Sequence, residues 1–216
     1  MSAKQAAPEG AKVQLTIPPP KFEVAEFEIQ GISPYVQHKF SKKGRDKMKA
    51  QQEAGSQAKK GKKRDPRDFK ADYEEAQYRF EDGGHGLPAA AIRAAMISAC
   101  RLVGFKMTIT KMALFILDDG YDKEDHTALV RITKGKPEYR EDVVRNQTGV
   151  CDIRARPMWA EGWRAKVRIR FDADWFKAQD VANLLMRAGM QVGIGEGRPD
   201  SKESAGMGWG LFECMQ

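Results

Sequence analysis

The sequence predicts an α+β fold, on three observations. Cys151–Arg156 and Ala165–Phe171 alternate apolar and polar residues with the period of a half-buried strand. Pro88–Val103 and Trp175–Ala188 place apolar residues at i, i+3, i+4 and i+7, the spacing of one helix face. These elements are interleaved along the chain, and a hydrophobic content of 41% over 216 residues is enough for a packed core.

The elements follow in order. Met1–Pro20 is polar, ends in Pro18-Pro19-Pro20 and is expected to be a flexible tail without the apolar stretch of a signal peptide. Phe22–Ile32 reads as a strand whose change of phase near Ala25 predicts a bulge, with Gly31 and Pro34 closing it. Asp72–Phe80 reads as a short helix with Tyr73, Ala76 and Phe80 on one side, before a turn at Asp82-Gly83-Gly84. Pro88 suits a first helical position, where its missing N–H is not needed; Ile92, Ala95, Met96, Ala99, Cys100 and Val103 form the inner face, and Gly104 ends the helix. Strands are expected at Met112–Leu117, before Asp118-Asp119-Gly120, and at Ala128–Ile132. In Trp175–Ala188, Val181, Leu184, Leu185 and Ala188 face inward and Gly189 is the expected stop. A last strand covers Trp209–Met215. The order strand, helix, strands, helix, strand is that of a ferredoxin-like, or RRM-like, antiparallel sheet with two helices on one face, so residues 21–216 are read as a single domain.

Charge is unevenly distributed. The formal net charge is +7, yet Lys39–Lys70 alone holds thirteen Lys or Arg against Asp46, Glu53, Asp65 and Asp68, an excess of nine. The rest of the chain is therefore slightly acidic. This insertion has few large apolar residues (Phe40, Met48 and Phe69) and is expected to be mobile, suited to a polyanionic partner, or else a solvated loop or targeting patch. Its candidate phosphate contacts are Lys39, Lys42, Lys43, Lys59, Lys60, Lys62, Lys63 and Arg64.

The two alternating strands are expected to form a hairpin centred on Glu161. That register buries Cys151 against Phe171, Ile153 against Ile169 and Ala155 against Val167. Its other face pairs Asp152 with Arg170, Arg154 with Arg168 and Arg156 with Lys166. Like charges directly opposite repel, and a bound polyanion would reverse that; acidic neighbours or a different register would neutralise the face instead. Trp159 and Trp163 at the tip either stack on unpaired bases or cap the core.

Gly193, Gly195 and Gly197 precede Arg198-Pro199, and Gly206, Gly208 and Gly210 precede the final strand. They follow a helix and lead into a strand, the reverse of a dinucleotide fingerprint, and no GKS/T is present. Such glycines let the backbone approach a phosphate chain, with Arg198 as a contact, or form a flexible connector. A ferredoxin-like order, a long basic insertion after the first strand, and Gly193-Ile194-Gly195-Glu196-Gly197-Arg198-Pro199 after the last helix together resemble the RAMP superfamily, which includes the backbone subunits of CRISPR effector complexes. The Leu87-Pro88 to Val103 helix, with Ala91-Ile92-Arg93-Ala94-Ala95, is similar to the first core helix of such proteins. The pattern also resembles small proteins of bacterial viruses. The resemblance implies single-stranded RNA or DNA held along a groove and a homo-oligomer or head-to-tail filament. No position matches a cleavage aspartate or catalytic histidine of the family.

Cys100, Cys151 and Cys214 are scattered, as are His38, His85 and His126, so neither a disulfide framework, a zinc site nor a cofactor is expected. No apolar run approaches the roughly 18 residues that span a membrane, and the chain is expected to be cytoplasmic, with no small-molecule substrate. Asp118, Asp119 and Asp122 either hold a metal, as in a metal-dependent nuclease, or make an ordinary turn. The leading expectation is a non-catalytic, sequence-tolerant nucleic-acid-binding protein; the alternatives are such a nuclease, and a viral structural or inhibitor protein acting by protein contact.

Overall fold

Alternation in Arg164–Asp172 (β9) puts Ala165, Val167, Ile169 and Phe171 on one side, all fully buried, and makes this strand the centre of the larger sheet. The computed structural model describes residues 17–53, 66–145, 151–201 and 206–215. Among them, Phe22–Gly31 (β1) pairs antiparallel with β9 from Phe22↔Asp172 to Gln30↔Arg164. Phe212–Cys214 (β10) lies outside β1. On the other side of β9 stand Leu114–Leu117 (β4) and, further along, Ala128–Lys134 (β6). Gly86–Pro88 (β3) and Gly120–Tyr121 (β5) extend β6, giving seven strands, every described pair antiparallel.

Two helices cover one face of this sheet. Ala89–Ala99 (α3) contributes Ile92, Ala95, Met96 and Ala99, and Ala178–Arg187 (α5) contributes Val181, Leu184 and Leu185. Pro88, expected at the first helical position, is instead the last residue of β3 and stands just before α3, while Gly104, at φ 66, ends the 3-10 turn Cys100–Val103 that follows the helix. Gly189 does not stop α5. The chain continues through a π turn, Ala188–Val192, to Gly193, and a Cβ at Gly189 would lie 2.1 Å from the Phe212 carbonyl oxygen. That glycine serves close packing on β10.

Three expectations are corrected. The β1–β9 register runs unbroken from Phe22 to Gln30, so there is no bulge near Ala25; Phe22 and Val24 simply face the uncovered side. Residues expected to open a strand at Met112 belong to a helix, Met107–Ala113 (α4). Most consequential, Cys151–Trp159 (β8) and β9 do not form a hairpin. β8 lies in a second, three-stranded sheet, between Tyr35–Val36 (β2) and Pro137–Arg145 (β7). The four residues Ala160–Trp163 turn a corner between sheets. Trp163 is 1% exposed, its indole N–H donates to the Ser33 carbonyl at 3.1 Å, and its ring fills the place a side chain at Gly31 would need. Gly162 N–H bonds the Gly31 carbonyl and Gly31 N–H the Trp163 carbonyl, which fixes β9 beside β1.

Within the basic insertion Lys42–Glu53 is a helix (α1), and at its end a second helix begins, Phe69–Glu75 (α2) where Asp72–Phe80 is expected, capped by Asp68 accepting from the N–H groups of Lys70 and Ala71. α2 packs on the second sheet through Tyr73 and Tyr139, ring centres 5.3 Å apart. No helix among the described residues is long and apolar enough to cross a membrane.

Candidate nucleic-acid interface

The glycine-rich segment is an ordered loop laid against β2. Glu196 N–H bonds the Val36 carbonyl, Gly210 N–H that of Pro34, and Ile194 N–H that of Gly210. Gly195 (φ 80) and Gly210 (φ 70) have the left-handed backbone that only glycine adopts cheaply. A Cβ would sit 2.5 Å from the Val36 carbonyl oxygen at the first and 1.7 Å from that of Ile194 at the second. The described part of this segment is held by these backbone hydrogen bonds and by the close approach of its glycines to neighbouring carbonyls.

β8 holds the loop electrostatically. Arg156, only 7% exposed, donates from Nε to Glu196 at 2.9 Å, and Arg154 reaches the same carboxylate at 3.4 Å. Arg140 of β7 stacks on the Trp209 ring at 4.9 Å. His38 Nδ1 lies 3.9 Å from Glu196; burial and the Arg156 guanidinium push its pKa below the ordinary value, so the ring is neutral at pH 7.

Loop and helix enclose a cleft of about 1060 Å³. Ala91, Ala94 and Ala95 of α3 line it, as do Tyr78 and His38. Arg101, Lys111 and Arg198 supply positive charge along it. Arg198 donates to the Gly195 carbonyl at 3.0 Å. Arg101 donates to Asp200 at 2.7 Å, and Asp200, bonded by the Ser98 hydroxyl and by Arg101, is held below the usual carboxylate range. The sequence singled out Arg198 alone of these. Arg101, Lys111, Tyr78 and His38 come from four separate segments that only the fold brings together.

Other expected contacts lie elsewhere. Lys39 is 2% exposed and bonds Asp122 at 2.6 Å and Glu124 at 2.9 Å, so it is an internal ion pair and not a phosphate contact. Trp159 and Trp163 are 0% and 1% exposed, packed on Tyr35 at 5.5 and 5.6 Å; stacking on bases there is ruled out because the sheet corner buries both rings. The expected face of like charges dissolves with the hairpin. On β9, Lys166 pairs with Glu26 (3.5 Å), Arg164 with Glu28 (3.6 Å) and Arg168 with Asp119 (3.0 Å). Arg154 and Arg156 of β8 face Glu196 instead. Arg170 remains on the uncovered face with no carboxylate partner among the described residues. Lys42 is exposed on α1. The Lys43 side chain, and Lys59, Lys60, Lys62, Lys63 and Arg64 altogether, lie outside the described residues.

The three candidate metal aspartates are not assembled into a site. Asp119 accepts from the Arg131 N–H and from Arg168. Burial would raise the Asp122 carboxyl, but Lys39 and the N–H groups of Arg79, Glu124 and Asp125 hold it below the ordinary value. Among the described residues no group of three or more His, Cys, Asp or Glu could hold a metal ion. The sequence matches no family model and no curated protein.

Proposed function

We propose that the protein is a non-catalytic module that binds single-stranded nucleic acid, independently of sequence, in the cleft between α3 and the glycine-rich loop. One observation carries this reading: a glycine-rich backbone loop and the alanines of α3 line a cleft with room for a phosphate chain beside Arg101, Lys111 and Arg198. Small residues admit a backbone closely, and cations at the rim attract phosphates without reading bases. The strand order β10, β1, β9, β4, with α3 and α5 on one face, supports a ferredoxin-like core to which the second sheet is an addition. A glycine-rich loop following the last helix of that core supports the resemblance to the RAMP superfamily, and with it a homo-oligomer along the strand.

Binding should weaken steeply with salt, each neutralised phosphate adding about 0.7 to the logarithmic slope. The Lys111→Ala, Arg198→Ala double variant should therefore bind a single-stranded oligonucleotide more weakly and with a slope smaller by about 1.4. Affinity that stays flat from low to moderate salt would falsify the reading. A second reading, association with another copy of the chain, is favoured by the groove of about 920 Å³ along α5, where Val103, Trp175, Met186 and Met190 are exposed. Sedimentation of Met190→Glu beside the wild type checks it.

A further inference from the structure

The face of the larger sheet that no described helix covers has two unlike ends. At one, each basic side chain of β9 meets an acid, as described for Arg164, Lys166 and Arg168. At the other end stands Arg170, flanked by Phe22 on β1 and Phe115 on β4. Its guanidinium carbon lies 4.9 Å from the centre of each ring. The two rings are edge to face, 6.0 Å apart at 71°.

Arg170 differs from every other arginine whose side chain is described. Each of the others has a hydrogen bond or ion pair to a carboxylate, amide or carbonyl; the Arg170 guanidinium has only the two rings. Among the described residues its N–H donors have no protein acceptor, and the two rings flank the guanidinium. Asp172, two residues further along β9 and opposite Phe22, accepts the Asp174 N–H at 3.0 Å and forms no ion pair with Arg170. Phe115 is held from a second side by Arg93, 5.0 Å from the ring centre and itself fixed to the Leu114 carbonyl. Phe22 keeps 43% of its surface exposed, and Val24 beside it 58%. A partly exposed aromatic ring next to a guanidinium with no carboxylate partner among the described residues suits a group that is planar and apolar on one part and anionic on another.

We propose that this cluster is a nucleotide-binding position distinct from the cleft: a single unpaired base stacks on Phe22 while Arg170 donates to its phosphate. The inference rests on the nucleic-acid reading above and adds to it an interaction that depends on the base. Stacking on an aromatic side chain is sequence-tolerant because every base offers a π face.

The test titrates full-length protein with a single-stranded oligonucleotide and with an abasic strand of equal length. Phe22→Ala should lower affinity for the first roughly tenfold and leave the second unchanged. Arg170→Lys, which keeps the charge but not the planar fork, should lose most of what Arg170→Ala loses. Equal losses by Phe22→Ala on both strands, or no loss on either, would overturn the proposal. If that happens while the Lys111→Ala, Arg198→Ala variant still loses affinity, the cleft reading stands and only this position fails. If the wild type binds neither strand, both fail. Unchanged oligonucleotide affinity with a dimer that Phe22→Ala dissociates would assign the face to a second copy of the chain instead.

Discussion

β8 and β9 carry nearly the same alternation of basic residues, are separated by four residues, and put those charges to different uses. β9 keeps its cations on an open face where β1 supplies Glu26 and Glu28 across the ladder, so the strand pair is close to neutral. β8 reaches through space instead: Arg154 and Arg156 converge on Glu196 and fix the glycine-rich loop beside the cleft. The charge of a sheet face is thus a property of the pairing. A strand's own sequence specifies which side chains share a face, and the neighbouring strand decides whether they remain free.

Four changes would break or sharpen this contrast, in descending order of effect. Trp163→Ala removes the ring that turns the chain between sheets, and should cost about 3–5 kcal/mol in chemical denaturation. Retained stability would mean the corner is set elsewhere. Glu196→Gln leaves the buried Arg156 without its full partner and should cost about 2 kcal/mol, with the loop amides exchanging faster with deuterium. The double variant Glu26→Gln, Glu28→Gln should change stability by less than about 1 kcal/mol, since these pairs are largely exposed. The same variant should raise oligonucleotide affinity at low salt if the freed face of β9 becomes a phosphate surface. The smallest effect is on pH dependence. His38 and His85 both fall below their ordinary value of 6.5 in the fold, chiefly through burial. The unfolded chain therefore takes up protons first, and the melting temperature should fall as the pH drops below about 6.5 until the folded-state values are passed. His38→Gln should remove part of that slope.

Much of the fold is legible in the sequence where side-chain period and burial agree. α3, α5, β1 and β9 are of this kind, each with an apolar face that meets one core. β7 is not, because Glu138, Arg140, Glu141 and Asp142 leave it no apolar alternation; it forms by pairing with β8 along its whole length. α4 is hidden by the apolar run into β4, which fits a strand as well as a helix. The candidate site is less legible than the fold. The glycines and Arg198 announce a special loop, but nothing local says that Lys111 and Arg101 stand across from it. Lys39 shows the opposite failure: it belongs by composition to the basic insertion, yet Asp122, more than eighty residues on, draws it into the interior.

That buried pair has a further consequence. His38 lines the cleft, Lys39 is locked to Asp122 and Glu124, and α1 starts only three residues later, at Lys42. The basic insertion is therefore tethered at the rim of the cleft by a fixed root. A polyanion lying in the cleft would meet the cations of α1 as an intramolecular event, at an effective concentration on the order of millimolar, without a separate encounter. Weak individual attractions from the insertion would then act chiefly on dissociation, lengthening the time a strand stays bound after the cleft has captured it.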